Sequence, residues 1–567
     1  MIMLTFAEIP YKRPDFEAVG KKIFALAEQM KTASCYEEMR SVYFQKQDVE
    51  RELDEMHTVC SIRSDINTED PFYSEERRVF NTEIPGLLPA EKAWNEAFLA
   101  SPYREEFSRE FGDRLFVMTE NNEKVQSPVI AEELIEESQL VNEYSKIAAT
   151  CKVNFRGEEC NFYGLLRHME STDREERKEA FHEWAKLYEG VSDKLDDVYY
   201  RMVQLRVKMA KKMGYDSYIP FAYLKRGRTD YTPEEVDSFR KQILEVVTPA
   251  VAKLREEQAK RLGVEKLHYY DEMIYFPEGN ADPHGDRDFM VAAAQKMYGE
   301  LSPETKEFFD FMVGHQLFDL ETKPGKRLGG YCTSFQFGDE KAPFIFSNFN
   351  GTAADTDVLT HEAGHAFEAY VASRSIPIDS CIWSTSEINE IHSMSMETFT
   401  FPWMNLFFGE EAEKYKYIHL IDSLACMPYM CAVDEFQHKV FENPEMSGKD
   451  YRKVWHELEK KYMPWRDYDG VEFLEEGGFW MQKQHIFMYP FYYVDYALAQ
   501  TCAFQFFTWM LKDREAAWNG YLKLCRSGGS RGYFETLDYA GLRNPFVSGN
   551  VEASVKGVLE YLENAEF

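Results

Sequence analysis

The chain has 567 residues, a formal net charge of −33 and a pI near 4.9, with 44% hydrophobic and 15% aromatic residues. That is long enough for several domains or one large body, and too apolar for a disordered chain. The acidic excess repels phosphate backbones and anionic lipid surfaces, which disfavours nucleic acid and membrane partners.

The opening residues, MIMLTFAEIPYKRPDFEAVG, lack the basic flank, apolar stretch and small-residue cleavage site of a secretory signal. No run approaches the roughly 20 apolar residues of a membrane helix. The ten cysteines are scattered without a C-x-x-C pair and read as reduced thiols of a cytoplasmic protein. Helical periodicity covers residues 14–31 and 36–62. A boundary near 175 divides an N-terminal helical region, 1–175, from a second region, 176–567. Beyond it, Leu195, Val198, Met202, Leu205, Met209 and Met213 recur at helical steps, and Gly214 sits where a C-cap belongs. A further amphipathic stretch spans 234–261. The Pro/Gly-rich pieces FPEGNADPHGDRD and LETKPGKRLGGY read as loops within one body. Strand-like text is confined to short pieces such as APFIFSNFNG, 342–351, which reads either as a core strand or as a sheet edge able to pair with an extended substrate. The fold class is therefore mainly α, with a small β-sheet.

In VLTHEAGHAFEAY, 358–370, Thr352, Asp355 or Thr356 can cap a helix that carries both histidines. At about 100° per residue, Leu359, Ala363, Ala366, Phe367 and Tyr370 gather on one side, and His361 and His365 lie about 40° apart on the other. In H-E-x-x-H two imidazoles one turn apart chelate zinc, and the glutamate after the first is placed as general base. A pair of surface histidines is the bland alternative. His182 and His456 are also followed by glutamate but lack the second histidine.

A catalytic zinc needs a third protein ligand. Glu368 and Val371 stand where H-E-x-x-H-x-x-G-x-x-H requires Gly and His, so the ligand must come from farther on. STSEINEIHSMSMETF, 384–399, offers Glu387, Glu390 and Glu397. Ser384 and Glu387 fit a capping box, whereas Glu390 and Glu397, seven apart, share a helix face. We take Glu390 as the ligand and Glu397 as the residue that buttresses one. His392, about 200° around the helix from Glu390, reads as a core histidine. Periodicity resumes over 411–425. EEGGFW and CRSGGSRGY read as flexible loops, without the lysine of a phosphate-binding loop. In QHIFMYPFYYVDYALAQ, 484–500, a helix opening at Pro490 would align Tyr493, Tyr496 and Gln500, with His485 and Tyr489 just before it. On the residues alone, core packing explains such a stripe.

HEAGH followed by Glu390, with 24 residues between His365 and Glu390, resembles the thimet oligopeptidase and oligoendopeptidase F family of zinc metallopeptidases. The oligoendopeptidase F branch, which includes enzymes of the Pz-peptidase type, is the nearer likeness. The resemblance implies a two-lobed helical body around a deep channel, with one Zn²⁺ per chain held by His361, His365 and Glu390. It implies cleavage of short peptides, and it makes His485, Tyr489, Tyr493 and Tyr496 the candidates for hydrogen bonds to the tetrahedral intermediate. Tyr493 and Tyr496 match the family's three-residue spacing; His485 stands one residue closer to them than in the thimet branch. A zinc dipeptidyl carboxypeptidase with the same metal site and a peptide-binding scaffold are the rival readings.

Overall fold

The structure is a computed structural model that describes residues 4–337 and 340–567. Asp15 accepts a hydrogen bond from the Ala18 amide at 3.0 Å and starts the first long helix, Phe16–Thr32. Its stripe of Ile23, Leu26, Ala27 and Met30 shares one core with Met39, Val42 and Tyr43 of the next helix, Tyr36–Ile66. Asp173 caps the long helix Arg174–Lys212, where Leu195, Val198, Met202, Leu205 and Met209 are all buried. Met213 ends this helix and Gly214 follows at φ 88°.

The stretch read as one helix over 234–261 is divided. Pro233–Gln242 and Thr248–Leu262 are α-helical, and Ile243–Val247 between them forms a π turn. Pro249 explains the break: it has no N–H to give to the preceding turn, so the ladder widens there. The helix beginning at Ala412 continues to Glu442, past Pro428.

Five short strands complete the secondary structure among the described residues. β1 (Val153–Phe155) and β2 (Glu158–Cys160) form a hairpin. β3 (Phe318–Glu321), β4 (Tyr331–Phe337) and β5 (Glu340–Phe349) form a sheet in the order β3-β5-β4, with β3 parallel and β4 antiparallel to β5. The stretch read as a possible sheet edge, 342–351, therefore belongs to the central strand, paired on both sides. Its consecutive buried residues Ala342, Phe344, Ile345 and Phe346 suit a strand covered on both faces. Phe6 packs on Phe344 with ring centroids 4.4 Å apart and the rings tilted by 46°. The helix Ala353–Ser375 packs on β5 and β4.

The chain forms two compact units, each assembled from three segments. The first comprises Met1–Pro128, Asp282–Ala412 and Gln505–Arg543; the second comprises Val129–Ala281, Glu413–Phe504 and Asn544–Phe567. Chain order does not separate them, and residue 175 falls in the first turn of the helix Arg174–Lys212, inside the second unit. All ten cysteines are free thiols, and no helix among the described residues is long and apolar enough to cross a membrane.

Candidate metal centre

The motif helix, Ala353–Ser375, begins after Thr352, and the Asp355 carboxylate turns back to accept from the amides of Gly351 at 2.7 Å and Asn350 at 3.0 Å. These bonds satisfy N–H groups where the strand β5 gives way to the helix. Leu359, Ala363, Ala366, Phe367 and Tyr370 are buried on the core side. His361 and His365 stay partly open, with side chains 21% and 14% exposed.

The glutamate helix, Ser386–Phe399, packs directly on the motif helix. Gly364 makes this possible. A β-carbon at Gly364 would lie 2.6 Å from the Ser393 Cα and 2.8 Å from the His392 carbonyl, closer than atoms can approach. The two backbones are in contact there, and the carboxylate of Glu390 is brought over both histidines. Its Oε2 lies 3.3 Å from His361 Nε2 and 3.5 Å from His365 Nε2. One ligand atom from each of the three residues fits within a 4.8 Å cluster. Ser393, one turn on, donates to Glu390 Oε2 at 3.1 Å. Glu397 accepts from His361 Nδ1 at 2.6 Å, which turns Nε2 toward Glu390. Two imidazole nitrogens and one carboxylate form the borderline donor set that suits zinc, and the set is held from behind by Glu397 and Ser393.

Charges within this buried group are strongly coupled. Burial opposes a proton on His361, but the bonds and charges of Glu390 and Glu397 prevail and hold the imidazole well above its ordinary value. Burial likewise opposes ionisation of Glu390, and the two histidines overcome it, holding the carboxyl well below its usual range. Glu362 goes the other way: burial raises it, the histidines counteract, and Glu390 and Glu397 add to the rise. A carboxylate raised by burial is a stronger proton acceptor, as a general base requires.

His392 is fully buried, held near pKa 3 chiefly by desolvation, and its carbonyl accepts from Tyr521 Oη at 2.9 Å. The capping box read at Ser384 and Glu387 is absent. Thr385 precedes the first helical residue, and the Ser384 amide instead donates to Asn389 Oδ1 at 3.1 Å. Glu387 is thereby drawn into the helix proper and is 1% exposed. Sequence reading missed two residues that shape the centre: Ser393, signalled by its three-residue step from Glu390, and Gly364, whose role only the helix contact reveals.

Gly364→Ala is expected to push the glutamate helix away, costing about 1–3 kcal/mol for overpacking and most of the metal affinity. Melting and metal analysis on one preparation check both losses; an alanine variant with normal metal content would show that the contact can relax.

His485, Tyr489, Tyr493 and Tyr496 lie in the second unit. The helix expected to open at Pro490 begins instead at Val494. Phe491 explains the delay, since it takes φ 62° with its ring fully buried, and its carbonyl accepts from Arg228 at 2.5 Å. Tyr493 thus precedes the helix and Tyr496 stands in its first turn. The His485 ring is the hub of the cluster, 4.9 Å from Tyr493, 6.0 Å from Tyr489 and 6.1 Å from Tyr496 between centroids. Tyr489 is 44% exposed, while His485, Tyr493 and Tyr496 are half-buried.

Comparison with known proteins identifies the family. The description "Peptidase M3 N-terminal domain" matches residues 6–126 and "Peptidase family M3" matches residues 167–555. The chromosomal oligoendopeptidase F of Lactococcus lactis subsp. cremoris is 25% identical over 419 residues, 71% of this chain. The match spans 63% of that relative's length. A structure of Pz peptidase A with an inhibitor superposes with a TM-score of 0.94 at 43% identity, covering 99% of this chain and 100% of that one. Oligoendopeptidase F from Enterococcus faecium, at 16% identity, a TM-score of 0.62 and coverage of 97% of this chain and 99% of its own, shares the fold. The chain belongs to peptidase family M3, in its oligoendopeptidase F branch.

Proposed function

We propose that this protein is a zinc-dependent endopeptidase of short peptides, with His361, His365 and Glu390 as ligands and Glu362 as general base. The observation that carries the reading is the convergence of two imidazole nitrogens and a carboxylate beside a buried glutamate raised above its usual range. A zinc ion in that donor set supplies a Lewis acid, able to polarise a carbonyl and bring the pKa of a water down to about 7. Glu362 takes the proton of the attacking water and returns it to the leaving amine. Glu397 keeps His361 in the tautomer that offers Nε2, and Ser393 keeps Glu390 turned toward the histidines. His485, Tyr489, Tyr493 and Tyr496 are assigned by family likeness as donors to the developing oxyanion. The ten free thiols and the acidic charge suit a cytoplasmic enzyme acting on peptides.

A peptide blocked at both ends and quenched across its middle tests the reading. Internal cleavage should disappear with a chelator and return with one equivalent of zinc; chelator-resistant cleavage, or none at all, overturns it. Within this scheme, Tyr496→Phe or Tyr493→Phe should lower kcat about a hundredfold for a lost oxyanion donor, with zinc content and melting temperature unchanged. Wild-type kcat in both variants, with a lowered melting temperature, would return the tyrosines to a packing role.

A further inference from the structure

A second set of metal-type donors converges in the second unit, at the β1–β2 hairpin. Arg156 and Gly157 join the strands, at φ 50° and 96°, as a two-residue turn of the I′ kind requires. This turn fixes the register, with Phe155 opposite Glu158 and Val153 opposite Cys160. Glu158 and Cys160, two apart on one strand, therefore face the same side. The chain then turns at Asn161, whose carboxamide oxygen accepts from the Gly164 amide at 3.0 Å and starts the helix Phe162–His168. That helix returns His168 to the hairpin. A β-carbon at Gly164 would lie only 3.3 Å from Cys160 Sγ, so the absence of a side chain there lets helix and strand meet.

Ligand atoms of Glu158, Cys160 and His168 all lie within 4.8 Å of one another, and His168 Nε2 is 4.0 Å from Glu158 Oε2. Cys160 is buried, while the Glu158 side chain is 72% exposed and has room to swing inward. Behind the imidazole, Glu176 Oε1 lies 2.7 Å from His168 Nδ1, and Glu176 Oε2 accepts from Ser171 Oγ at 3.1 Å and Arg156 at 3.0 Å. A carboxylate fixed on Nδ1 leaves the Nε2 lone pair outward, the same device that Glu397 applies to His361. An ion pair with Glu176 alone would account for Nδ1, but not for a second carboxylate 4.0 Å from Nε2 and a buried thiol in the same cluster.

We propose that Glu158, Cys160 and His168 form a second metal site for a divalent transition ion of the zinc or cobalt type, which bridges the hairpin and the helix. Thiolate and imidazole select such ions over magnesium or calcium, and three ligands leave one position to water. Binding exchanges the thiol proton for the metal and releases that proton to solvent.

Cobalt(II) titrated into the full chain freed of metal tests the site. Two equivalents should bind, one of them with a near-ultraviolet thiolate-to-cobalt band, because His361, His365 and Glu390 offer no sulfur. Cys160→Ser and the gentler change His168→Gln should each remove the band and one equivalent while cleavage of the blocked peptide persists. Glu176→Gln should keep the band and weaken cobalt binding at this site about 10–100-fold, as loss of a supporting residue does. If the catalytic assignment alone were wrong, the single equivalent left would carry the band. No band in the wild type at saturating cobalt, or a band that survives in both ligand variants, overturns the proposal.

Discussion

Glu362→Gln should lower kcat by about 10²–10⁴-fold, the usual contribution of a positioned proton acceptor, while zinc content and melting temperature stay near those of the wild type. The amide is nearly the same size and keeps an acceptor oxygen, but it cannot take up a proton. Glu362 is only 8% exposed and is not one of the three clustered ligands, so the change leaves the donor set intact. Steady-state kinetics with metal analysis on the same sample separates the possibilities. A variant that turns over normally removes Glu362 from the chemistry, and one that is inactive but metal-free shows that it supports the site instead.

Glu390→Ala should leave the protein folded and nearly free of zinc after dialysis, because it deletes one of three ligands. The loss should exceed the about 10–100-fold fall in affinity expected for Glu397→Gln, which removes only the acceptor behind His361. Glu387→Ala is the contrasting case. Glu387 is buried within the first turn of the same helix, so its removal should lower the melting temperature and leave the metal in place. Metal lost with Glu387 and kept without Glu390 would mean that the third ligand is misassigned.

The clustering of His361, His365 and Glu390 was legible in the sequence because a helix converts spacing into direction. Four residues set His361 and His365 side by side, and seven set Glu390 and Glu397 on one face. Contacts between elements were not legible in this way. Nothing local marks Gly364 as the point where two helix backbones touch, and the capping box at Ser384 was lost to Asn389, a competing side chain in the same turn. Pro490 suggested a helix start that the buried ring of Phe491, with its left-handed backbone, postpones to Val494. For 342–351 a core strand and a sheet edge were both open, and the unbroken apolar run Ala342–Phe346 favours the first, since an edge strand with one wet face alternates.

The interleaving of the two units bears on how the chain acquires its structure during synthesis. The first unit needs Gln505–Arg543 as well as Met1–Pro128, and Tyr521 in that late segment anchors the glutamate helix through the His392 carbonyl. At roughly 5–20 residues per second, tens of seconds separate the emergence of these segments from the ribosome. Through that interval the first helices can already bury their stripes against residues 39–116, whereas the glutamate helix waits for Tyr521. Closure at such long sequence separation is slow. The first unit can therefore be completed only when translation is almost finished, and the helix that carries Glu390 gains its Tyr521 contact no earlier.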